Sequence, residues 1–320
     1  MSFILLLFSC KEKTQEGASK LKDSQGEFNH LTLVLKDSLW NTETGDSIRK
    51  YLAASLDGII PSEPLFIIEQ FSPRIFVDKN KLARNLIIMD EESDCLFTLE
   101  RSKYATPQNV FTIQAPSAEE MIDEFKINVD SIISTFLNFE INEMQHKIKR
   151  GSKLDDTVLQ DVFGVKMVIP DTYKYVLQED NFIWIKKDIA SGNSNLLLYE
   201  VSIDRIENSK SIIENIVEVK DSIAALYVHG TEPNSFMKTD EGFAPFNKKL
   251  VLDNLQAFEL KGTWDMRKSF MSGSYLCYVI RDDYFNRYLF IEGFTYNPSL
   301  TKRELLFELE AIIKTVNFHE

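Results

Sequence analysis

The sequence predicts an α+β protein made of two similar-sized halves, each a mainly antiparallel sheet with an internal helix and a closing amphipathic helix. Three observations predict it. Short β-rich runs follow one another closely, which favours hairpins over parallel crossovers. Each half carries apolar residues at helical spacing in its interior. Each half also ends in an amphipathic helix with its own start signal. The chain has 320 residues, enough for one large domain or two ordinary ones. At 44% hydrophobic and 27% charged it has an ordinary globular composition, and 23 phenylalanines predict an aromatic-rich core.

The first half runs over 30–151. A strand is expected at His30–Leu35, and Ile48, Tyr51, Leu52 and Leu56 then fall at helical spacing. Pro61-Ser-Glu-Pro64 punctuates the chain. Four β-like runs follow, at Leu65–Phe71, Arg84–Met89, Cys95–Leu99 and Val110–Ala115. Ser117 and Glu120 form a capping box for a helix carrying Met121, Phe125, Val129, Ile132 and Phe136 to about Lys149, where Gly151 is a stop.

The second half runs over 152–320. Strands are expected at Gly164–Ile169, Asn181–Lys186, Asn195–Val201, Gln256–Leu260, Ser274–Ile280 and Tyr288–Phe294. A helix from Ser209 to about Leu226 interrupts them, and the stretch between it and Gln256 reads as a polar loop. Thr301 and Glu304 make a capping box for the last helix, with Leu305, Leu306, Leu309, Ile312, Ile313 and Val316 as its stripe. This half looks like the sandwich of Mog1/PsbP-like domains, an analogy of fold that carries no function.

The N-terminus is the clearest guide to location. Residues 1–10 place a short apolar run, Phe3 to Phe8, before Ser9 and Cys10, with polar residues at once after it. That resembles a bacterial lipoprotein signal, in which the cysteine is lipidated. Six apolar residues are far short of the about 20 that span a bilayer. No basic residue precedes them, and the expected account is a leader truncated in this sequence. Residues 11–29 read as a flexible tether. The expected location is the cell envelope, with a lipid anchor, in the outer membrane.

The formal net charge of −13 argues against nucleic acid as a partner. Cys95 and Cys277 are expected as buried free thiols, with a disulfide as the alternative in an oxidising compartment. No hydrolase, zincin, P-loop, dinucleotide or EF-hand spacing occurs, and no cofactor or metal site is expected. The four histidines, His30, His146, His229 and His319, are too scattered to suggest a metal centre. An acidic turn at Arg281-Asp282-Asp283 is read as hairpin chemistry before a calcium site.

Three segments hold candidate site residues. His229 lies in a loop with Ser235, Thr239 and Asp240, types a hydrolase would use if they met. Trp264, Phe270 and Tyr275 surround a Gly-containing turn that suits a ligand cleft. Tyr296 and Asn297 follow Gly293 before the last helix, where Gly293 marks a bulge or a close approach. Turn chemistry for the first and core packing for the second are the favoured readings, and a strand-to-helix corner explains the third as well.

Several segments together resemble a Bacteroidota lipoprotein family of unknown function, DUF4837. They are Pro61-Ser-Glu-Pro64, Arg84-Asn85, Asn181-Phe-Ile-Trp184, Ser235-Phe-Met237, Gly262-Thr-Trp264 with Phe270-Met271, and Glu292-Gly-Phe-Thr-Tyr296-Asn-Pro298 followed by Lys302-Arg303. The turn after Met271 reads Ser-Gly-Ser-Tyr where the family pattern has Gly-Gly-Pro-Phe. The resemblance implies an envelope lipoprotein and supplies no activity. The expected function is a non-catalytic binding or assembly module anchored through Cys10, with membrane lipid and an envelope protein or small ligand as partners. The alternatives are an envelope hydrolase using the His229 loop and a small-ligand carrier with a cleft near Trp264.

Overall fold

A computed structural model describes residues 21–208, 211–298 and 301–318. Cys10, the apolar run before it, residues 11–20 and His319 lie outside the described residues.

Five strands, β1 (His30–Val34), β2 (Ile67–Phe71), β3 (Asn85–Glu91), β4 (Leu96–Arg101) and β5 (Asn109–Ala115), form one sheet in the order β2-β1-β3-β5-β4. Helix α1 (Glu43–Leu52) links β1 to β2, and α2 (Ala118–Arg150) packs with it on the sheet around Leu33, Ile87, Phe111 and Phe125. Pairing is mainly antiparallel over the whole protein, but this half corrects the expectation. Its β1–β2, β1–β3 and β3–β5 pairs are parallel, and β4–β5 alone among its pairs is antiparallel. The chain returns to the same end of the sheet through α1 and through the 72–84 segment, so neighbours run the same way. The runs Leu31–Leu35 and Leu86–Met89 are nearly continuous apolar sequence, as strands covered on both faces require.

The other sheet has eight strands, all paired antiparallel. They are β6 (Lys174–Glu179), β7 (Phe182–Ile189), β8 (Gly192–Ser202), β9 (Phe236–Thr239), β10 (Phe246–Leu252), β11 (Leu255–Arg267), β12 (Ser272–Asp282) and β13 (Arg287–Tyr296). The order is β9-β11-β12-β13-β8-β7-β6, and β10 shares the β11 edge with β9. A short helix α3 spans Thr157–Phe163, and helix α4 (Ile212–Tyr227) covers one face through Ile216 and Val219, over Tyr199, Cys277 and Phe290. Helix α5 (Arg303–Ile313) covers the other through Leu309, Ile312 and Ile313, over Leu276, Leu289 and Ile291.

Helix α2 joins the halves. Ser117 Oγ accepts the Glu120 backbone N–H, the cap expected from sequence. At 33 residues the helix is about 50 Å long, more than one small sheet needs. Met121 to Phe136 serve the first core, while Ile141, Met144 and Ile148 enter the core of the second half. Gln145 Nε2 donates to the Ala311 carbonyl of α5 at 3.1 Å.

Several details depart from the sequence expectations. Strands β6, β9 and β10 and helix α3 were not expected. Strand β10, Phe246-Asn-Lys-Lys-Leu-Val-Leu252, is an exposed edge, so its sequence lacks the alternation of a half-buried strand. Gly164 ends α3 at φ +65°, and only Val165–Lys166 of the expected 164–169 strand pairs, with Asn317–Phe318. The tether also ends earlier than expected. Lys22 and Asp23 pair with Ala105 and Thr106, and Phe28 packs 5.8 Å from Phe307. The Asn29 N–H donates to Glu140 at 2.9 Å. That Glu140 carboxylate is fully buried and also accepts from Arg84 Nε (2.9 Å) and Asn85 Nδ2 (2.7 Å).

Candidate functional site

Where the two halves meet, α2 and α5 do not close on each other along their whole length. Residues Ser134, Leu137, Asn138 and Ile141 lie along one face of α2 at three- and four-residue spacing. Arg303, Leu306, Phe307, Glu310 and Lys314 do the same along α5 and its end. The loop after α1 adds Leu56, Asp57, Ile59 and Leu65, and the sheet adds Lys248, Lys261 and Leu276. Between them is a cavity of about 260 Å³. Seven of the lining residues are aliphatic, and Phe307 and Tyr275 are its aromatic members. One end carries charge.

That charged end is a connected network. Lys261 Nζ lies 2.9 Å from Glu310 and 3.6 Å from Glu259. Lys248 reaches Glu259 at 2.7 Å, and Lys314 reaches Glu310 at 2.5 Å. The Tyr278 hydroxyl joins the two carboxylates, donating to Glu259 and lying 3.3 Å from Glu310. Burial alone would raise the Glu310 carboxyl, but Lys261 and Lys314 outweigh it and hold it down at about 2. Burial would lower Lys261, and Glu310 and Glu259 hold it above its ordinary value. The Lys261–Glu310 pair is therefore charged throughout the physiological range.

A second buried network lies on the opposite face of the sheet. Lys220 points inward from α4, fully buried, 3.2 Å from the buried Glu292 of β13. Its ammonium lies 4.1 Å from the Tyr275 ring centre and 3.3 Å from Thr239 Oγ1. Tyr199 donates to Glu292 at 3.3 Å. Burial raises the Glu292 carboxyl despite Lys220 beside it. Burial works against the charge of Lys220, yet Glu292, Tyr275 and Asp221 hold its ammonium above the ordinary value. Sequence reasoning missed Lys220 because it sits within a helical stripe, where a lysine reads as solvated. The signal present was its place four residues after Ile216, on the buried face.

The residues singled out from sequence are placed as follows. His229 is exposed, and its Nε2 lies 3.1 Å from the Ala225 carbonyl. Ser235 donates to the Glu232 carbonyl, and Asp240 accepts from Thr263 and from the Gly242 N–H. Thr239 lies in β9 and donates to Asp221 at 2.7 Å, and His229 bonds the Ala225 carbonyl rather than Ser235, Thr239 or Asp240, so the loop does not bring them together as a nucleophile–base pair. Trp264 is buried, donating to the Thr295 carbonyl at 3.3 Å and set edge-on to Phe294. The expected cleft beside it is filled by core. Tyr275 is buried between Lys220 and the cavity edge. Tyr296 tilts against Trp264 at 6.4 Å, and Asn297 bonds Ser191 and the Thr301 carbonyl. Phe270 stands fully exposed at the turn tip, apart from the others.

Cys277 is buried and free, its thiol pushed up by burial. Cys95 is also free but exposed, which corrects the expectation of burial. It precedes the edge strand β4. Asp282 accepts from Arg287 at 2.9 Å and from the Tyr284 N–H at 3.1 Å, ordinary hairpin bonds. Among the described residues no helix is long and apolar enough to cross a membrane. None of them forms a group of three His, Cys, Asp or Glu placed to hold a metal.

Comparison with known proteins adds the following. No curated protein matches the chain. The Ran-binding protein Mog1p of Saccharomyces cerevisiae overlaps with a TM-score of 0.31 at 8% identity, over 49% of this chain and 92% of its own. A point mutant of protein Mog1 overlaps with a TM-score of 0.27 at 11% identity, over 48% of this chain and 89% of its own. Residues 24–149 match the model described as Domain of unknown function (DUF8532). Residues 152–315, just over half of the chain, match the model described as Domain of unknown function (DUF4837), and the chain belongs to that family.

Proposed function

We propose that this is a non-catalytic lipoprotein of the cell envelope, anchored through lipidated Cys10, whose body binds a small ligand at the junction of its halves. The observation that carries the binding part is the cavity of about 260 Å³ between α2 and α5, with an aliphatic wall and a charged end. Small-molecule sites favour concave, mostly apolar junctions with a few polar groups. The anchoring part rests on Leu7-Phe8-Ser9-Cys10 and the polar residues after it. A dually acylated cysteine would hold the protein at the membrane, where one chain would not.

Two measurements test this reading. Cys10→Ala should move the protein from the membrane fraction to the soluble one after a carbonate wash. Retention of the variant in the membrane would refute the anchor. Native mass spectrometry of protein extracted from cells should show a co-purifying small molecule that Leu137→Trp, which fills the cavity from α2, removes. An adduct indifferent to Leu137→Trp would refute this site.

A further inference from the structure

We infer that the inter-half cavity takes a short amphiphile with an acidic head group, its apolar body along α2 and its head at Lys248, Lys261 and Lys314. This rests on the binding reading above and names the ligand class.

The charge of the lining points to an acidic head. The chain carries a formal net charge of −13, yet the cavity is lined by Lys248, Lys261, Arg303 and Lys314 against Asp57 and Glu310. Glu259 stands behind Lys248 and Lys261, and Glu304 behind Arg303; neither carboxylate lines the cavity, so the surface a ligand meets has four cationic groups and two anionic ones. A cationic ligand would find only Asp57 and Glu310 as acidic groups on that lining, and Glu310 is already held by Lys261 and Lys314. A wholly apolar one would strip water from ammonium groups and return nothing for it. An ammonium has three donors, and the pairings to Glu259 and Glu310 leave donors over for a carboxylate or phosphate. Such charge-assisted bonds are the strong ones.

The rest of the lining sets the body. Leu56, Ile59, Leu65, Leu137, Ile141 and Phe307 supply the apolar part of the lining. At about 30 Å³ for a water-sized group, the cavity holds on the order of ten such groups. That suits a head and a chain of roughly eight to ten carbons.

The test uses the full chain carrying Cys10→Ala, which keeps it in solution. Decanoate, decanol and decylamine are titrated separately by calorimetry, below their aggregation limits. Decanoate should bind one to one, at least tenfold tighter than decanol, with decylamine weakest. Lys314→Gln should weaken decanoate several-fold and leave decanol unchanged. Leu137→Trp, with its melting temperature measured to show that it folds, should abolish binding of both. Equal binding of all three probes would overturn the acidic head while leaving the cavity as a binding site. Binding of decanoate that survives Leu137→Trp would overturn the assignment to this cavity. No saturable binding of any probe to the folded protein would overturn this inference and count against the binding reading with it.

Discussion

Glu63 caps the helix that Arg303 begins, from 240 positions earlier in the chain. Its two carboxylate oxygens accept the backbone N–H groups of Lys302 (2.7 Å) and Arg303 (3.0 Å), and the Arg303 guanidinium returns a bond to the Pro64 carbonyl at 3.2 Å. An acidic side chain at a helix N-terminus satisfies orphan donors and complements the helix dipole. Here the first half supplies it to the last helix of the second. The capping box expected from Thr301 and Glu304 does not form; Lys302 occupies the cap position without a side-chain cap bond, and Glu304 pairs with Arg303.

Glu63→Ala should therefore lower stability by about 2 kcal/mol, at the upper end for a cap because two buried donors lose their acceptor. Thr301→Ala, at an exposed position, should change it by less than about 0.5 kcal/mol. Urea unfolding followed by circular dichroism measures both. Equal effects would mean that the local box, not Glu63, holds the helix.

The Lys220–Glu292 pair makes a prediction with a definite pH dependence. Removing one partner of a buried pair leaves the other charge stranded, which costs about 3–5 kcal/mol. In Lys220→Met the Glu292 carboxyl loses the cation that opposed its desolvation, so its folded pKa rises further. A carboxyl whose folded pKa lies above the unfolded value loses stability as pH rises between the two. Lys220→Met should thus be more destabilised at pH 8 than at pH 5, and adding Glu292→Gln should flatten that difference. A pH-independent loss would show that Glu292 does not respond to Lys220.

Glu310 titrates in the opposite sense. Its folded pKa of about 2 lies below its ordinary 4.5, so the unfolded chain binds the proton first as pH falls. Its contribution is whole above about pH 4.5 and is lost between there and about pH 2, amounting to roughly 3 kcal/mol. Lys261, raised above 10.5, contributes fully below that value and loses its share as alkali titrates the folded form. Wild type should hence be more stable than Glu310→Gln at pH 7, with the gap closing toward pH 2. A constant gap across that range would remove the charge network as its cause.

Much of the fold was legible where one signal sufficed. The Ser117 cap, the α2 period and the alternating core strands of the second sheet are all local patterns. What escaped notice depends on partners far away in the chain. Strand order decides parallel against antiparallel, and nothing within Leu31–Leu35 announces whether Leu86–Met89 runs beside it the same way. The family-like segments proved to be junctions: Arg84 and Asn85 hold Glu140, Glu63 holds Lys302 and Arg303, and Glu292 holds Lys220. The cavity was the least legible part. Arg303, Glu310 and Lys314 share a helix face with Leu306 and Phe307, which sequence presents as a charged border to the apolar stripe. Only the approach of α2 turns that border into a wall.

Gly293 is the sequence mark whose meaning the packing now supplies. It lies mid-strand in β13, where α5 crosses closest: a Cβ built there would sit 3.1 Å from Leu309 Cβ and 3.3 Å from its Cδ1. The Leu309 Cβ is fixed to the helix backbone, so a rotamer change cannot relieve the contact. The helix itself would have to lift, and it is held at its start by Glu63 and beside α2 by the Ala311 carbonyl. Gly293→Ala should therefore destabilise by about 1–3 kcal/mol, although alanine favours a strand no less than glycine does. If α5 moves, decanoate affinity should change too, since Leu306, Phe307 and Glu310 travel with it. A stability equal to wild type in thermal unfolding would mean that α5 is free to shift, and the cavity wall with it.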